Sequence, residues 1–141
     1  MKVEVFTIGR PRLAYARLGV EEYLKRLQKY SSVALHPLKR PAALEAELKG
    51  FPGFKVVLDE RGEEPTTLEL ARRYQGWKGQ HKRIGFFIGP AEGHAEAARR
   101  AADWVMALSR LTLQHELALL VLMEQLYRVE TLLAGHPYHR G

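Results

Sequence analysis

Three short stretches hold residues whose types and order suit chemistry on an organic ligand. At the carboxy terminus, His136-Pro137-Tyr138-His139-Arg140-Gly141 groups a stacking ring, an imidazole that titrates near neutrality and a guanidinium that pairs with phosphate or carbonyl oxygen. Chain ends normally fray, so three such side chains in a row suggest a task beyond structure. Upstream, Phe86-Phe87-Ile88 runs into Gly89-Pro90-Ala91-Glu92-Gly93 and then the alanine-rich stretch His94 to Ala102. That is the pattern of a buried strand, a glycine-bounded turn and a helix whose first amides lack partners within the helix. Trp104 to Leu108 repeats it, stopping at Ser109-Arg110 before Leu111-Thr112-Leu113 leads into another helix. Two such turns on adjacent strands make one cleft at the carboxyl edge of a sheet, where open α/β folds bind ligands.

Other chemistries are poorly served. The first turn lacks the Lys and the Ser or Thr of a phosphate-cradling loop, and its glycine spacing is not a dinucleotide fingerprint. The chain has no cysteine, so thiolate catalysis and disulfides are excluded. His136 and His139 stand three apart, but no acidic partner lies at a recognised zinc spacing and Pro137 blocks a helical arrangement, so no metal site is expected. Taken alone, the glycines also read as loop punctuation and the leucines of Leu108 to Leu113 as ordinary core at a strand end.

The elements that must position these stretches alternate along the chain. Lys2 to Ile8 reads as a strand closed by Gly9-Arg10-Pro11, and from Ala16 onward Val20, Tyr23, Leu24 and Leu27 fall on one helical face. Val33-Ala34-Leu35 is a second strand; Pro41 opens and Gly50 ends a second helix. Phe54 to Asp59 is a third strand whose charged loop, Glu60 to Pro65, should border the cleft. Thr66 and Glu69 form a capping box for a helix that uses Leu70, Tyr74 and Trp77, with Gly76 and Gly79 as its stop. A helix from about Gln114 to Leu133 completes five βα units: one α/β domain over residues 1–141, with a mostly parallel sheet and helices on both faces.

Leu117 to Met123 leaves that last helix apolar nearly all round. One side can pack on the sheet, and a second subunit is the simplest cover for the other, which predicts a homodimer. The longest apolar run is far short of the ~20 residues of a membrane span and no signal-peptide block follows Met1-Lys2, so a cytoplasmic protein with no membrane partner is expected. Lys plus Arg outnumber Asp plus Glu by 22 to 16, a net charge of +6 that suits a polyanion, nucleic acid above all. Arg10, Arg12, Arg72, Arg73, Lys82 and Arg83 are the candidate RNA-facing cations, in the absence of any separate RNA-binding domain pattern.

Ile88-Gly89-Pro90-Ala91-Glu92-Gly93, Leu108-Ser109-Arg110-Leu111-Thr112-Leu113-Gln114-His115 and the terminal HPYHR together resemble the ribosomal large-subunit pseudouridine N3-methyltransferase family, RlmH, within the SPOUT superfamily. The similarity runs from the Lys2 strand to Arg140. Pro90 and Ala91 stand where the family usually has Gly and Pro, and Gln114 where it has Pro. The resemblance implies a carboxy-terminal trefoil knot, a homodimer and an S-adenosyl-L-methionine pocket walled by Leu58, Gly89, Gly93, Leu108, Ser109, Arg110, Leu111, Thr112 and Leu113. It also implies a reaction: methylation of N3 of a pseudouridine in 23S rRNA, on the assembled ribosome.

Methyl transfer from sulfonium to nitrogen is an in-line displacement that calls on alignment and a dry pocket. The acceptor imide must lose its proton, and His139 is the tail group titrating near neutrality, expected as base or orienter. Arg140 would face the developing negative charge or a phosphate, and Tyr138 would stack on the base. The rival readings are a non-catalytic RNA-binding α/β module, which would leave the cofactor turn empty, and a doubly wound nucleotide or phosphosugar enzyme sharing the same cleft.

Overall fold

The computed structural model describes residues 1–90 and 93–140. Ala91 and Glu92 in the first glycine turn, and the terminal Gly141, lie outside the described residues. Ten elements alternate: β1 (Lys2–Ile8), α1 (Ala14–Leu27), β2 (Ser32–Leu38), α2 (Pro41–Gly50), β3 (Phe54–Glu63), α3 (Thr67–Gln80), β4 (Arg83–Ile88), α4 (Glu96–Ala101), β5 (Trp104–Met106) and α5 (His115–Leu133). The strands form one sheet in the order β2-β1-β4-β3-β5, and every neighbouring pair is parallel. This is the α/β class expected, with helices on both faces.

Strand alternation sorts the side chains into two cores. Val3, Val5, Val56, Leu58, Ile84, Phe86, Ile88, Trp104 and Met106 face α1, α3 and α5, while Phe6, Val57 and Phe87 face α2 and α4 through Leu44, Leu48 and Ala98. The steps β1 to β2 and β3 to β4 run one way along the sheet and carry α1 and α3; the steps β2 to β3 and β4 to β5 run the other way and carry α2 and α4. Reversing direction and face together keeps every crossover the same hand, as parallel βαβ units require.

Several boundaries differ from expectation for physical reasons. β2 runs on from Leu35 through Pro37 to Leu38, which an edge strand tolerates because its outer N–H groups need no partner. β3 passes Asp59 and continues to Glu63, where it meets Met106 again after an irregularity beginning at Leu58. Gly62 permits that return, since a Cβ there would lie 2.6 Å from the Val105 carbonyl carbon. β5 stops at Met106 instead of Leu108, and Ala107 donates to the Glu63 carbonyl at 2.8 Å. α3 does not stop at Gly76 or Gly79; buried Leu70, Tyr74 and Trp77 hold it helical to Gln80. α4 begins at Glu96, because His94 is committed to Asp59 and the Phe87 carbonyl.

The cover of α5 also differs. Within one chain, α1 packs along one flank of α5 and α3 along the other, so none of its apolar residues is left exposed. This three-helix layer covers much of the all-round apolar surface of α5, while Leu117, Leu120 and Val121 stay partly accessible. Its one buried acid, Glu130, accepts from Ser31 at 2.6 Å, Tyr74 at 2.7 Å and Lys78 at 2.8 Å, which supplies the partners a buried carboxylate requires. Burial, together with the Glu130 charge, raises the Tyr74 hydroxyl well above its ordinary pKa. No helix among the described residues is long and apolar enough to cross a membrane.

Candidate active site

At the carboxyl edge of the sheet lies a cleft of about 850 Å³, within the range of small-molecule and cofactor sites. Three segments wall it. The end of β3 gives Leu58, Asp59, Glu60 and Arg61, the β4 turn gives Ile88, Gly89, Pro90 and Gly93, and the approach to α5 gives Leu108, Ser109, Leu111, Thr112, Leu113, Gln114, His115 and Ala118. Of the residues expected to hold a cofactor, Leu58, Gly89, Gly93, Leu108, Ser109, Leu111, Thr112 and Leu113 are thus brought together. Arg110 is not among the lining residues: its side chain is 89% exposed and reaches outward to Glu64 at 3.7 Å, as a long cation does when it can stay hydrated.

Beneath the first turn sits a cluster that sequence reasoning missed. Asp59, with its side chain nearly inaccessible, accepts the backbone N–H of Arg61 at 2.9 Å and that of His94 at 3.2 Å, and the Arg61 Nε at 3.0 Å. Burial alone would raise this carboxyl, but the Arg61 side chain and the two amides outweigh it and hold Asp59 below its ordinary pKa. Arg99 donates to the His94 carbonyl at 2.8 Å and lies 3.9 Å from Asp59. The His94 ring donates from Nε2 to the Phe87 carbonyl at 2.9 Å; a carbonyl only accepts, which fixes the Nε2–H tautomer. Burial lowers the His94 pKa, keeping the imidazole neutral. The available signal was local: an acid at a strand end with Arg two residues on is the pattern of an Asx turn.

Both glycines of the turn are needed for this packing. A Cβ on Gly89 would lie 3.0 Å from the His94 ring, and Gly93 has φ +88° with a Cβ position 3.2 Å from Arg61 Nη2. On the facing wall, Ser109 Oγ accepts the Leu111 N–H at 2.9 Å. Gln114, where the resemblance leads one to expect Pro, caps α5 by accepting the N–H groups of Glu116 at 2.9 Å and Leu117 at 3.0 Å.

The tail lies elsewhere. Tyr138 donates to Glu124 at 2.8 Å and sits 3.2 Å from the Tyr23 hydroxyl, its ring edge-on to Tyr127 at 4.7 Å. Burial and these hydrogen bonds push the Tyr138 hydroxyl upward. Arg128 stacks its guanidinium 4.8 Å from the Tyr138 ring centre and donates to His139 Nδ1 at 3.1 Å, which leaves the imidazole proton on Nε2. Arg140 is exposed. These contacts are on α1 and α5; from His115 at the cleft to Glu124 is roughly 14 Å of helix, and to Arg128 roughly 20 Å. One chain therefore gathers eight of the nine expected pocket residues at the cleft, while Tyr138 and His139 are held against α1 and α5, away from it.

Comparison with known proteins matches residues 1–139 to the family described as predicted SPOUT methyltransferase. Proteins named ribosomal RNA large subunit methyltransferase H are similar over their full length. The one from Thermus thermophilus is 57% identical over 140 residues, covering 99% of each chain; that from Deinococcus radiodurans is 40% identical with complete coverage of both. The Neisseria gonorrhoeae protein is 36% identical over 155 residues and covers 99% of each. On the match across nearly its whole length, this chain belongs to the SPOUT methyltransferase family, in the branch of the large-subunit methyltransferase H proteins.

Proposed function

We propose that this protein methylates N3 of a pseudouridine in 23S rRNA, using S-adenosylmethionine and acting on the assembled ribosome. The observation that carries the reading is the cleft itself: eight of the nine motif residues expected at a methyl donor line it, in a chain whose full-length relatives are named as large-subunit rRNA methyltransferases.

The residues present fit the donor. Gly89 and Gly93 leave backbone open along one wall, where any larger residue would press on His94 or Arg61. Leu58, Ile88 and Ala118 offer apolar contact for a flat ring, and Ser109, Thr112, Gln114 and the backbone around them offer polar groups at its edge. Bound there, the cofactor supplies a methyl group on a positively charged sulfur. The chain's part is to hold that group in line with the acceptor and to exclude water. The Asp59–Arg61–His94 cluster fixes the wall through the Asp59 hydrogen bonds to Arg61 and His94.

The acceptor side requires a base for the imide proton and a donor for the charge that develops: His139 has the chemistry for the first once its Nδ1 is released from Arg128, and Arg140 for the second, with Tyr138 stacking on the base. Since one chain keeps them away from its own cleft, we place them in the cleft of a second copy, in a homodimer. Exposed Leu13 at the entry to α1, with Tyr15 and Leu18 on it, supports such a contact as apolar surface left open on this helix. The family's trefoil knot belongs to the same reading, as does a cytoplasmic location, where ribosomes are assembled.

The test is incubation with tritiated S-adenosylmethionine and ribosomes lacking the modification, followed by mapping of the labelled nucleotide. Label at N3 of a pseudouridine in 23S rRNA is expected. Binding to ribosomal RNA with neither S-adenosylmethionine binding nor methyl transfer would replace this reading with a non-catalytic RNA-binding module.

A further inference from the structure

The β1 and β2 ends of the same sheet edge differ from the rest of it in charge. β1 and β2 finish side by side at Ile8 and Leu38, and the Gly9 N–H donates to the Leu38 carbonyl at 2.7 Å. The segments that leave these strands carry Arg10, Arg12, Lys39 and Arg40, all exposed. Among the described residues none of the four has a carboxylate within ion-pair distance, whereas Arg61, Arg73, Arg83, Arg99, Arg100 and Arg128 each do. The helices that follow reinforce the sign. α1 and α2 have no acid in the first turn and no side-chain cap, while α3, α4 and α5 carry Glu69, Glu96 and Glu116 there. The uncapped start of α2 adds partial positive charge to the same edge, while at α1 the Glu116 carboxylate offsets it.

One acid beside this ridge is Glu116, and its Oε1 is turned to the backbone N–H groups of Arg12 at 2.7 Å and Leu13 at 2.9 Å. That hydrogen-bonded pair joins the ridge to the cleft, because Gln114, His115 and Ala118 of the same segment line the cleft. Other cations proposed from sequence lie differently. Lys82 and Arg83 are at the opposite edge, beside Lys2, and Arg83 is committed to buried Glu4 at 2.7 Å. Arg73 stacks on Trp104 at 4.5 Å.

We propose that Arg10, Arg12, Lys39 and Arg40 form the surface on which phosphates of the ribosomal RNA dock, holding the backbone while the target base enters the adjacent cleft. The proposal rests on the methyltransferase reading for the identity of the RNA, and its chemistry is phosphate neutralisation without base readout.

The probe is purified large ribosomal subunits lacking the modification. Full-length protein is compared with Arg10→Gln/Arg12→Gln, with Lys39→Gln/Arg40→Gln, and with a control at the far edge, Lys29→Gln/Lys49→Gln, in equilibrium binding across a salt series. Melting curves and calorimetry with S-adenosylmethionine establish that each variant is folded and keeps its cleft. Each ridge pair is expected to weaken binding several-fold and to reduce the slope of log affinity against log salt by about two, roughly one for each cation replaced. The control should match the unaltered protein. Ridge variants that bind like the control, or an unaltered protein that does not bind the subunits, would overturn the proposal. Weakened binding by the ridge variants, with no methyl transfer by the unaltered protein, would uphold the ridge and remove the enzymatic reading instead.

Discussion

Glu116, the second residue of α5, reaches back to Leu13 at the entry to α1: its Oε1 accepts the Leu13 N–H at 2.9 Å, alongside that of Arg12 at 2.7 Å. The Leu13 amide, with that of Arg12, holds this carboxyl below its ordinary pKa. One side chain thus joins the start of the helix at the cleft to the start of the helix beside it. Glu116→Ala is expected to lower stability by about 1 kcal/mol, a charged hydrogen-bonding group discounted for its solvent access. It should also weaken S-adenosylmethionine binding measurably, because Gln114 and His115 lose their anchor. Denaturant melts and calorimetry check both.

Gly93→Ala tests the wall. The substitution places a Cβ at φ +88°, 3.2 Å from Arg61 Nη2, a conformation that costs an L-residue about 1–2 kcal/mol. Donor affinity is expected to fall at least tenfold in calorimetry, with a melting temperature lowered by only a few degrees. Unchanged affinity would show that the donor does not use this turn.

His94 sets an expected pH dependence. Its folded pKa lies below the ordinary 6.5 because it is buried, so the unfolded chain binds the proton more readily than the folded one does. Stability attributable to His94 is complete above about pH 6.5, declines as pH falls below it, and levels off once the folded-state pKa is passed. Asp59, also depressed, adds a further loss at lower pH, below its ordinary 3.8. His94→Leu should flatten the fall in melting temperature between about pH 7 and 5 while lowering stability at neutral pH by about 1–3 kcal/mol, since the Phe87 carbonyl loses its donor.

The tail prediction separates chemistry from cofactor binding. His139→Ala and Arg140→Ala are expected to reduce methyl transfer by on the order of a hundredfold or more, with calorimetric affinity for S-adenosylmethionine unaltered. If the tail acts on the partner's cleft, mixing a tail variant with a Gly93→Ala cleft variant under exchange conditions should restore activity in the mixed dimer. Neither alone should show it. Recovery absent from verified mixed dimers would place the tail in its own chain's cleft.

The strands, the helices and much of the cleft were legible because periodicity and turn residues act locally. Thr66 does cap α3, accepting the Glu69 N–H at 3.1 Å, and Pro41 opens α2. Where prediction failed, neighbours distant in sequence decided. Gly76 and Gly79 read as a helix stop, yet Tyr74 and Trp77 are buried beside them and keep α3 going. The continuation of β3 to Glu63 depends on β5, more than forty residues away in sequence, passing close enough for Gly62 to be required. The leucines of α5 read as a surface in need of a partner because nothing local shows that α1 and α3 close on both flanks. Arg110 illustrates a finer limit: a motif can place a residue in a segment while the direction of its side chain is set by hydration and by Glu64.

Pro37 near the end of β2 limits how the sheet could be extended by another strand. β2 is one margin of the sheet and β5, only three residues long, is the other. A proline on the first and brevity on the second deprive an incoming strand of a template. In the proposed homodimer this disfavours merging the two sheets into one continuous ribbon and favours contact through helices, the layer that carries the mouth of the cleft.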